Sequence, residues 1–176
     1  MALETTYIQE KLSQKFGSNV LNFEMKRDIF SLEATSETVH EVIQTLKEDE
    51  SLNFHFLTDV CGIHFPDNDE NHQFAVVYHL HNWIENMRIR VTTFLKGENP
   101  EVSSIIDLFT SANWMERETW DFYGINFIGH PQLKRILNMD EMVSFPMRKE
   151  FPLEDSGRTD KDDRFFGRTI KQIKCF

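Results

Sequence analysis

The stretch FAVVYHLHN at residues 74–82 is followed, after only four residues, by MRIRVTTFL at residues 87–95. In the second run, Met87, Ile89 and Val91 alternate with polar side chains. A period of two places the apolar residues on one face of a β-strand and the polar residues on the other. The two runs therefore predict two strands of a sheet that has one buried face and one face in contact with solvent.

Helix and strand patterns surround these two strands in an order that indicates the fold class. Residues 5–16 and 36–48 carry apolar side chains at helical spacing, and the first of these segments is followed by Gly17 as a stop. The other predicted elements are a strand pair at 19–33, a strand at 54–65, a helix at 101–111 and a helix at 113–123 that ends at Gly124. This order predicts an α+β fold, with the helices packed on one face of a mostly antiparallel sheet.

The sequence changes character after residue 128. Three of the five prolines (Pro131, Pro146 and Pro152) lie beyond this point, and the apolar residues lose any regular period. The segment is too apolar for a disordered tail and too irregular for a second core. We therefore predict an α+β domain at residues 1–128, followed by an extended arm at residues 129–176 that binds along another protein.

Length and charge exclude several classes of function. The 176 residues suffice for one domain with a core, and the net charge is −10. Nucleic acid is not an expected partner, because phosphate binding requires a basic face. No apolar run approaches the roughly 20 residues of a membrane helix, so no direct membrane insertion is expected. Two isolated cysteines and a start without a signal-peptide pattern indicate a reducing, cytosolic compartment.

Two histidines are the strongest candidates for a metal site. His79 and His81 share one face of the predicted strand at 74–82, so both imidazoles could bind one ion. No third ligand lies nearby in sequence, and a polar sheet face is the simpler interpretation. The glycine-rich phosphate loops and the GxSxG nucleophile motif are absent from the chain.

The stretch ERETWDFYG at residues 116–124 mixes charged and aromatic side chains. Helical spacing places Glu116 with Trp120, and Arg117 with Asp121, on shared faces. A core helix would not tolerate so many unpaired charges, and an exposed helix would not need the aromatic residues. We predict that this helix lies between its own domain and another protein, with each charge paired. Paired carboxylates could instead act as acid and base, but no nucleophile or metal-ligand set accompanies them.

A second stretch, FPMRKEFPL at residues 145–153, contains two Phe-Pro steps that favour extended backbone. A stiff segment that presents Arg148 would lose little entropy on docking. Arginine can also pair with a carboxylate through two hydrogen bonds. This stretch is therefore predicted to contact a partner as well.

Together, ERETWDFYGINFIGHPQLKRIL and FPMRKEFPLED resemble the signature of the C-type subunit of the NADH-quinone oxidoreductase of respiratory complex I. The family pattern is an E-R-E run, a W-D pair, a glycine turn, G-H-P, R-I-L and P-[LM]-R-K-[DE]-[FY]-P. The residues that match it and that we predict for the partner interface are Glu116, Arg117, Glu118, Trp120, Asp121, Gly124, His130, Pro131, Arg135, Pro146, Arg148, Lys149, Phe151 and Pro152.

The resemblance implies a subunit of the hydrophilic arm, peripheral on the cytoplasmic side of the cell inner membrane. Its chief partner would be the large D-type subunit that helps to form the quinone pocket. The resemblance implies no catalytic, cofactor-binding or metal-binding residue in this chain, because the FMN and iron–sulfur clusters belong to partner subunits. The whole complex transfers electrons from NADH to quinone and translocates protons, and this chain would have a scaffolding role.

Two alternatives remain open from the sequence. The first is the equivalent subunit of a membrane-bound hydrogenase or ferredoxin-linked complex, which shares the same ancestry. The second is a stand-alone metal-dependent enzyme that uses His79, His81 and an acidic partner.

Overall fold

The computed structural model describes residues 4–151. Within this range the α-helices are α1 (Thr5–Phe16), α2 (Val39–Glu48) and α3 (Ala112–Tyr123). The strands are β1 (Val20–Lys26), β2 (Ile29–Ala34), β3 (Phe56–His64), β4 (Phe74–Asn82), β5 (Met87–Leu95), β6 (Glu101–Ser103) and β7 (Asn126–Ile128). No helix in the described range is long and apolar enough to cross a membrane.

Five strands form one sheet in the spatial order β1-β2-β5-β4-β3. Only β2 and β5 run parallel, and the other neighbouring pairs are antiparallel. Strands β4 and β5 stay in register from Phe74, which pairs with Leu95, to Asn82, which pairs with Met87. The two runs that predict a half-buried strand pair thus occupy the interior of the sheet.

The core lies between this sheet and the three helices. Tyr78, Ile89 and Val91 point from β4 and β5 into the core and are fully buried. They pack in one cluster with Ile8 of α1 and Ile43 of α2. The α+β fold, with helices on one face of a mostly antiparallel sheet, is therefore confirmed.

Helix α3 reaches the same face by a close approach to β3. The hydroxyl of Thr119 donates to the carbonyl of Val60 at 3.3 Å. A Cβ atom at Gly62 would lie only 2.8 Å from Tyr123 Cδ2 and 2.9 Å from Thr119 Cγ2. A glycine at this position in β3 therefore allows the helix to sit against the backbone of the edge strand.

The prediction of a helix at residues 101–111 is wrong. Glu101–Ser103 form β6, which pairs in parallel with β7, and the following residues form consecutive turns. Val102, Ile105 and Phe109 repeat at helical spacing and are buried, but they point into the core from a strand and two turns. Pairing with β7, which follows more than 20 residues later in sequence, overrides the local period.

Candidate protein-interaction site

The C-terminal half of α3 and the residues that follow β7 form one structural unit. Residues 130–151, which we call the covering segment, run back over α3 and contact its last turn. The helix therefore lies between its own domain and another layer, as its mixture of charges and aromatics indicates. In this structure the described part of that layer comes from the same chain.

The last turn of α3 has four carbonyls without a partner inside the helix, as every α-helix does. The backbone N–H of Gly124 donates to the carbonyl of Trp120 at 2.8 Å. The carbonyl of Asp121 accepts from Arg135 Nη1 and Asn138 Nδ2, each at 3.3 Å. All but the first of these donors come from the covering segment.

Two further donors bind the last two of the four carbonyls at the end of α3. The backbone N–H of Met147 donates to the carbonyl of Phe122 at 3.2 Å. Arg148 Nε donates to the carbonyl of Tyr123 at 2.8 Å. The covering segment is therefore the C-terminal cap of α3, and the helix end depends on it.

The buried carboxylate of Asp121 holds the covering segment in place through hydrogen bonds. Its side chain is fully buried, and Oδ2 accepts from the backbone N–H groups of Ile136, Leu137 and Asn138 at 3.1, 2.8 and 2.9 Å. Oδ1 accepts from Arg135 Nη1 at 2.6 Å. Burial acts to raise the pKa of Asp121, yet these hydrogen bonds outweigh it and hold that pKa well below its usual range. The carboxylate is thus ionised at neutral pH, and it fixes a loop through these hydrogen bonds.

Arg135 and Arg148 insert their guanidinium groups between aromatic rings. Arg135 lies 5.6 Å from the ring centre of Trp120 and 5.5 Å from that of Phe145. Arg148 lies 4.8 Å from Phe145 and 4.9 Å from Phe74. Stacking on rings adds to the ion pairs that Arg135 forms with Asp121 and Arg148 forms with Glu150, and it stabilises these partly buried cations. The aromatic residues of the motif therefore support its arginines.

Arg117 is also engaged within the chain. Its Nε and Nη2 atoms donate to the carbonyls of Lys134 and Arg135, both at 3.2 Å, and its guanidinium lies 5.0 Å from the ring centre of Trp114. Arg117 and Asp121 share a helix face as predicted, but each binds the covering segment rather than the other.

Glu116 is on the inner side of α3 and is fully buried. Its carboxyl group contacts Ser104 Oγ at 2.5 Å and accepts from the backbone N–H of Ile105 at 2.8 Å. Burial raises the pKa of Glu116 to about 7, and the two hydrogen bonds oppose this rise only in part. Glu116 thus ties the turn after β6 to α3.

The remaining predicted residues occupy varied positions. His130 Nε2 lies 3.3 Å from the carbonyl of Asn113, and the backbone N–H of Lys149 donates to His64 Nδ1 at 3.0 Å. Pro146 is half-buried, and the side chains that face solvent are Glu118, Pro131, Lys149 and Phe151. Pro152 lies outside the described residues. Whether this set forms a partner interface remains a prediction.

Sequence reasoning placed Met147 and Phe151 in a stretch that contacts a partner, but it missed the other large apolar residues that the covering segment exposes. Leu137, Met139, Val143, Met147 and Phe151 are large apolar side chains that face solvent, and Val143 is 95% exposed. We call these five the outer apolar residues. For the three missed residues, the sequence shows an apolar content without a period, which cannot separate inward from outward side chains.

The predicted histidine pair has a different role. His79 and His81 both lie on the sheet face opposite the helices and are partly exposed. His79 Nε2 accepts a hydrogen bond from Arg90 Nε at 2.9 Å, so this nitrogen is already occupied. Within residues 4–151, no group of three or more potential ligands is placed to hold a metal ion.

Comparison with known proteins gives a consistent family match. Residues 32–157 match the family model described as the respiratory-chain NADH dehydrogenase, 30 Kd subunit. The NADH-quinone oxidoreductase C-type subunit 2 from Rhizobium etli is 37% identical over 94% of this chain and 86% of its own length. The protein of the same name from Rhizobium meliloti is 40% identical over 85% of this chain and 80% of its own length.

Solved structures share the fold. A trypsin-resistant fragment of Nqo5 is 28% identical with a TM-score of 0.60, over 72% of this chain and 98% of the fragment. A chain of an archaeal respiratory membrane complex, the membrane-bound sulfane sulfur reductase, has a TM-score of 0.71 over 97% of this chain and 98% of its own. Its identity of 18% shows a common fold alone.

The cap on α3 leads to a prediction for Gly124. This residue has φ +73°, and an added Cβ would lie 2.6 Å from Phe145 Cε2 and 2.7 Å from Arg148 Nη2. We expect Gly124→Ala to lower the free energy of unfolding by about 2–4 kcal/mol, because backbone strain and overpacking add. Urea unfolding of the purified chain measures this change.

Gly129 provides the matched control, since it has φ +86° but no neighbouring atom within 4 Å of an added Cβ. Gly129→Ala should therefore show only the backbone strain, about 1–2 kcal/mol. Equal losses for the two variants would mean that Phe145 and Arg148 do not pack against the end of α3.

The environment of Glu116 leads to a second prediction, on pH. The folded chain keeps this proton up to about pH 7, whereas the unfolded chain releases it near the ordinary value of 4.5. The free energy of unfolding of the wild type should therefore fall as the pH rises from 5 to 8. Glu116→Gln keeps the shape and the hydrogen bonds of the neutral acid, so its stability should lack this fall.

The measurement is a series of urea unfolding curves at pH 5, 6, 7 and 8 for both proteins. The variant should gain on the order of 2 kcal/mol relative to the wild type across this range. The difference in the free energy of unfolding between the two proteins could instead be the same at every pH. That result would show that the carboxyl group is ionised throughout and is not desolvated as described.

Proposed function

Because this chain belongs to the family of the respiratory-chain NADH dehydrogenase 30 kDa subunit, we propose that it serves a NADH-quinone oxidoreductase as a scaffolding subunit. The observation that carries this proposal is that charged and apolar side chains in and around the motif have different roles. Asp121, Arg135 and Arg148 hold the covering segment on α3. The side chains left outside include the five outer apolar residues, beside the charged Glu118 and Lys149. Such a surface is typical of one that another polypeptide covers.

We propose a structural rather than a catalytic role for the motif, and the surroundings of its carboxyl groups support this role. Glu116 is sealed from solvent, and Asp121 accepts hydrogen bonds from three backbone N–H groups and two side chains. A general acid or base must reach a substrate proton within hydrogen-bond distance. Neither carboxyl group has a face toward solvent, which supports our proposal that electron transfer is the work of partner subunits, with their FMN and iron–sulfur clusters.

We further propose that the outer apolar residues are covered by the large D-type subunit. The resemblance of the motif to the C-type family names this partner, and the exposure of Val143 and Met139 supports a protein as the occupant. Several large apolar side chains are exposed together on this surface. Association with a partner removes them from water, and this removal is favourable. The assembly would hold the chain peripherally, on the cytoplasmic side of the inner membrane.

The equivalent subunit of a membrane-bound hydrogenase or ferredoxin-linked complex is the alternative. The archaeal sulfane sulfur reductase favours it through the common fold alone. The relatives with 36–40% identity are named as subunits of NADH-quinone oxidoreductases. An NADH-binding flavoprotein among the co-purifying subunits separates the two functions.

The test is to express a tagged chain in its native host, solubilise the membranes gently and identify the subunits that co-purify. We expect an assembly that contains NADH-binding and iron–sulfur subunits. Val143→Asp should remove most of this assembly, because it places a charge in a desolvated contact at a cost of several kcal/mol. The variant should unfold at the wild-type temperature, since Val143 is 95% exposed in the free chain.

Leu21→Asp is the matched control, since Leu21 is a large exposed apolar residue on the opposite edge strand, β1. It should assemble normally. Normal assembly of Val143→Asp with a lower turnover per assembled complex would show that the surface acts in the reaction, contrary to the proposed role. A tagged chain that purifies alone would contradict the proposal altogether.

A further inference from the structure

The turn between β4 and β5, residues 83–86, is held rigidly by a buried asparagine. Asn82 Oδ1 accepts from the backbone N–H groups of Ile84 and Glu85 at 2.9 and 3.1 Å. Its Nδ2 donates to the carbonyl of Leu52 at 2.8 Å. These three hydrogen bonds tie the turn to the body of the domain.

This rigid turn presents large apolar side chains to solvent. Trp83 is 68% exposed and Ile84 is 78% exposed. The Trp83 ring lies 5.1 Å from the ring of Phe56 and 6.0 Å from that of His81, between ring centres. We call Phe56, His81, Trp83 and Ile84 the tip cluster. A preorganised aromatic cluster of this kind loses little entropy when a partner covers it.

The tip cluster lies at the other end of the sheet from the covering segment. Phe56 pairs with His81 at one end of the β3–β4 ladder, and His64 pairs with Phe74 at the other. The covering segment contacts this second end through His64 and Phe74. The eight residue steps from Phe56 to His64 along β3 correspond to roughly 26 Å. The tip cluster is therefore a surface separate from the outer apolar residues.

Two arginines beside the cluster indicate the chemistry of its occupant. Arg88 pairs with His81 across the β4–β5 ladder and is exposed, and Arg90 follows on the same face. Among residues 4–151, neither forms an ion pair, and Arg90 donates to the imidazole of His79 instead. Unpaired cations are notable in a chain with a net charge of −10. They are complementary to carboxylates on another molecule.

We propose that the tip cluster, with Arg88 and Arg90, is a second docking surface for a polypeptide of another subunit. That segment offers apolar side chains to Trp83 and Ile84, and carboxylates to the two arginines. An anionic bilayer does not fit this surface as well, because the negative charge of the whole chain opposes its approach. The inference rests on the proposed function, in that it makes the chain a brace between two neighbours at opposite ends of one sheet.

The test places a photo-cross-linking benzoylphenylalanine at position 83 of the tagged chain, expressed in the native host. A second strain carries it at position 143, and a third at position 7, where Tyr7 is an exposed aromatic residue on α1. The solubilised assembly is irradiated, and the cross-linked peptides are identified by mass spectrometry. We expect position 83 to give a cross-link to another subunit, in a peptide rich in Asp or Glu, and distinct from the peptide reached from position 143. Position 7 should give none of comparable yield.

Charge reversal tests the chemistry independently. Arg88→Glu should lower recovery of the subunit reached from position 83 by more than about tenfold. Arg27→Glu is the control, since Arg27 is an exposed arginine in the turn between β1 and β2. The free Arg88→Glu chain should unfold at the wild-type temperature, because Arg88 forms no ion pair among the described residues.

Other results would overturn the inference. Position 83 could cross-link only to phospholipid, only to a second copy of this chain, or only to residues 152–176 of the same chain, and each of these outcomes would contradict it. Equal recovery for Arg88→Glu and Arg27→Glu would do the same. A cross-link from position 143 with none from position 83 would contradict only the second surface. No cross-link from either position in a chain that purifies alone would contradict the proposed function as well.

Discussion

The four carbonyls that end α3 are the constraint on which the site depends. A helix end buried without hydrogen-bond donors would cost several kcal/mol, because each unpaired carbonyl loses its contact with water. Gly124 satisfies one carbonyl, and the covering segment satisfies the other three through Arg135, Asn138, Met147 and Arg148. Asp121 in turn fixes the loop that carries two of these donors. Helix and covering segment are therefore interdependent, and a change in either one affects both.

This interdependence explains how a stretch dense in charges can serve as a structural element. The arginines and carboxylates form hydrogen bonds within the chain, so they hold the covering segment in one conformation before any partner binds. A surface that is ordered in advance loses less entropy on association than one that must fold. The outer apolar residues are thus presented as a preformed surface, which suits a subunit that holds others in place.

The sequence predicts the sheet and the three observed helices well, because their apolar periods are strong and local. The helix at 101–111 fails because Val102 and Ile105 obey a helical period while their burial is decided by β7, which is remote in sequence. At the site, the family motif and the engagement of Arg117 and Asp121 are predictable, but their partners are not. Asp121 binds backbone N–H groups of residues 136–138, and no pattern of side chains encodes such a contact. The exposure of Val143 is unpredictable for the same reason, since it depends on the path of the covering segment.

The most direct test is hydrogen–deuterium exchange of the isolated chain, read at the amides of Ile136, Leu137 and Asn138, which donate to Asp121. If the covering segment caps α3 without help, these amides and that of Met147 should be protected to the same extent as the interior of α3. Exchange at the rate of an unstructured chain, with protection appearing only in the assembled complex, would contradict the account. The covering segment would then be an arm that a partner folds, and the end of α3 would be open in the free protein.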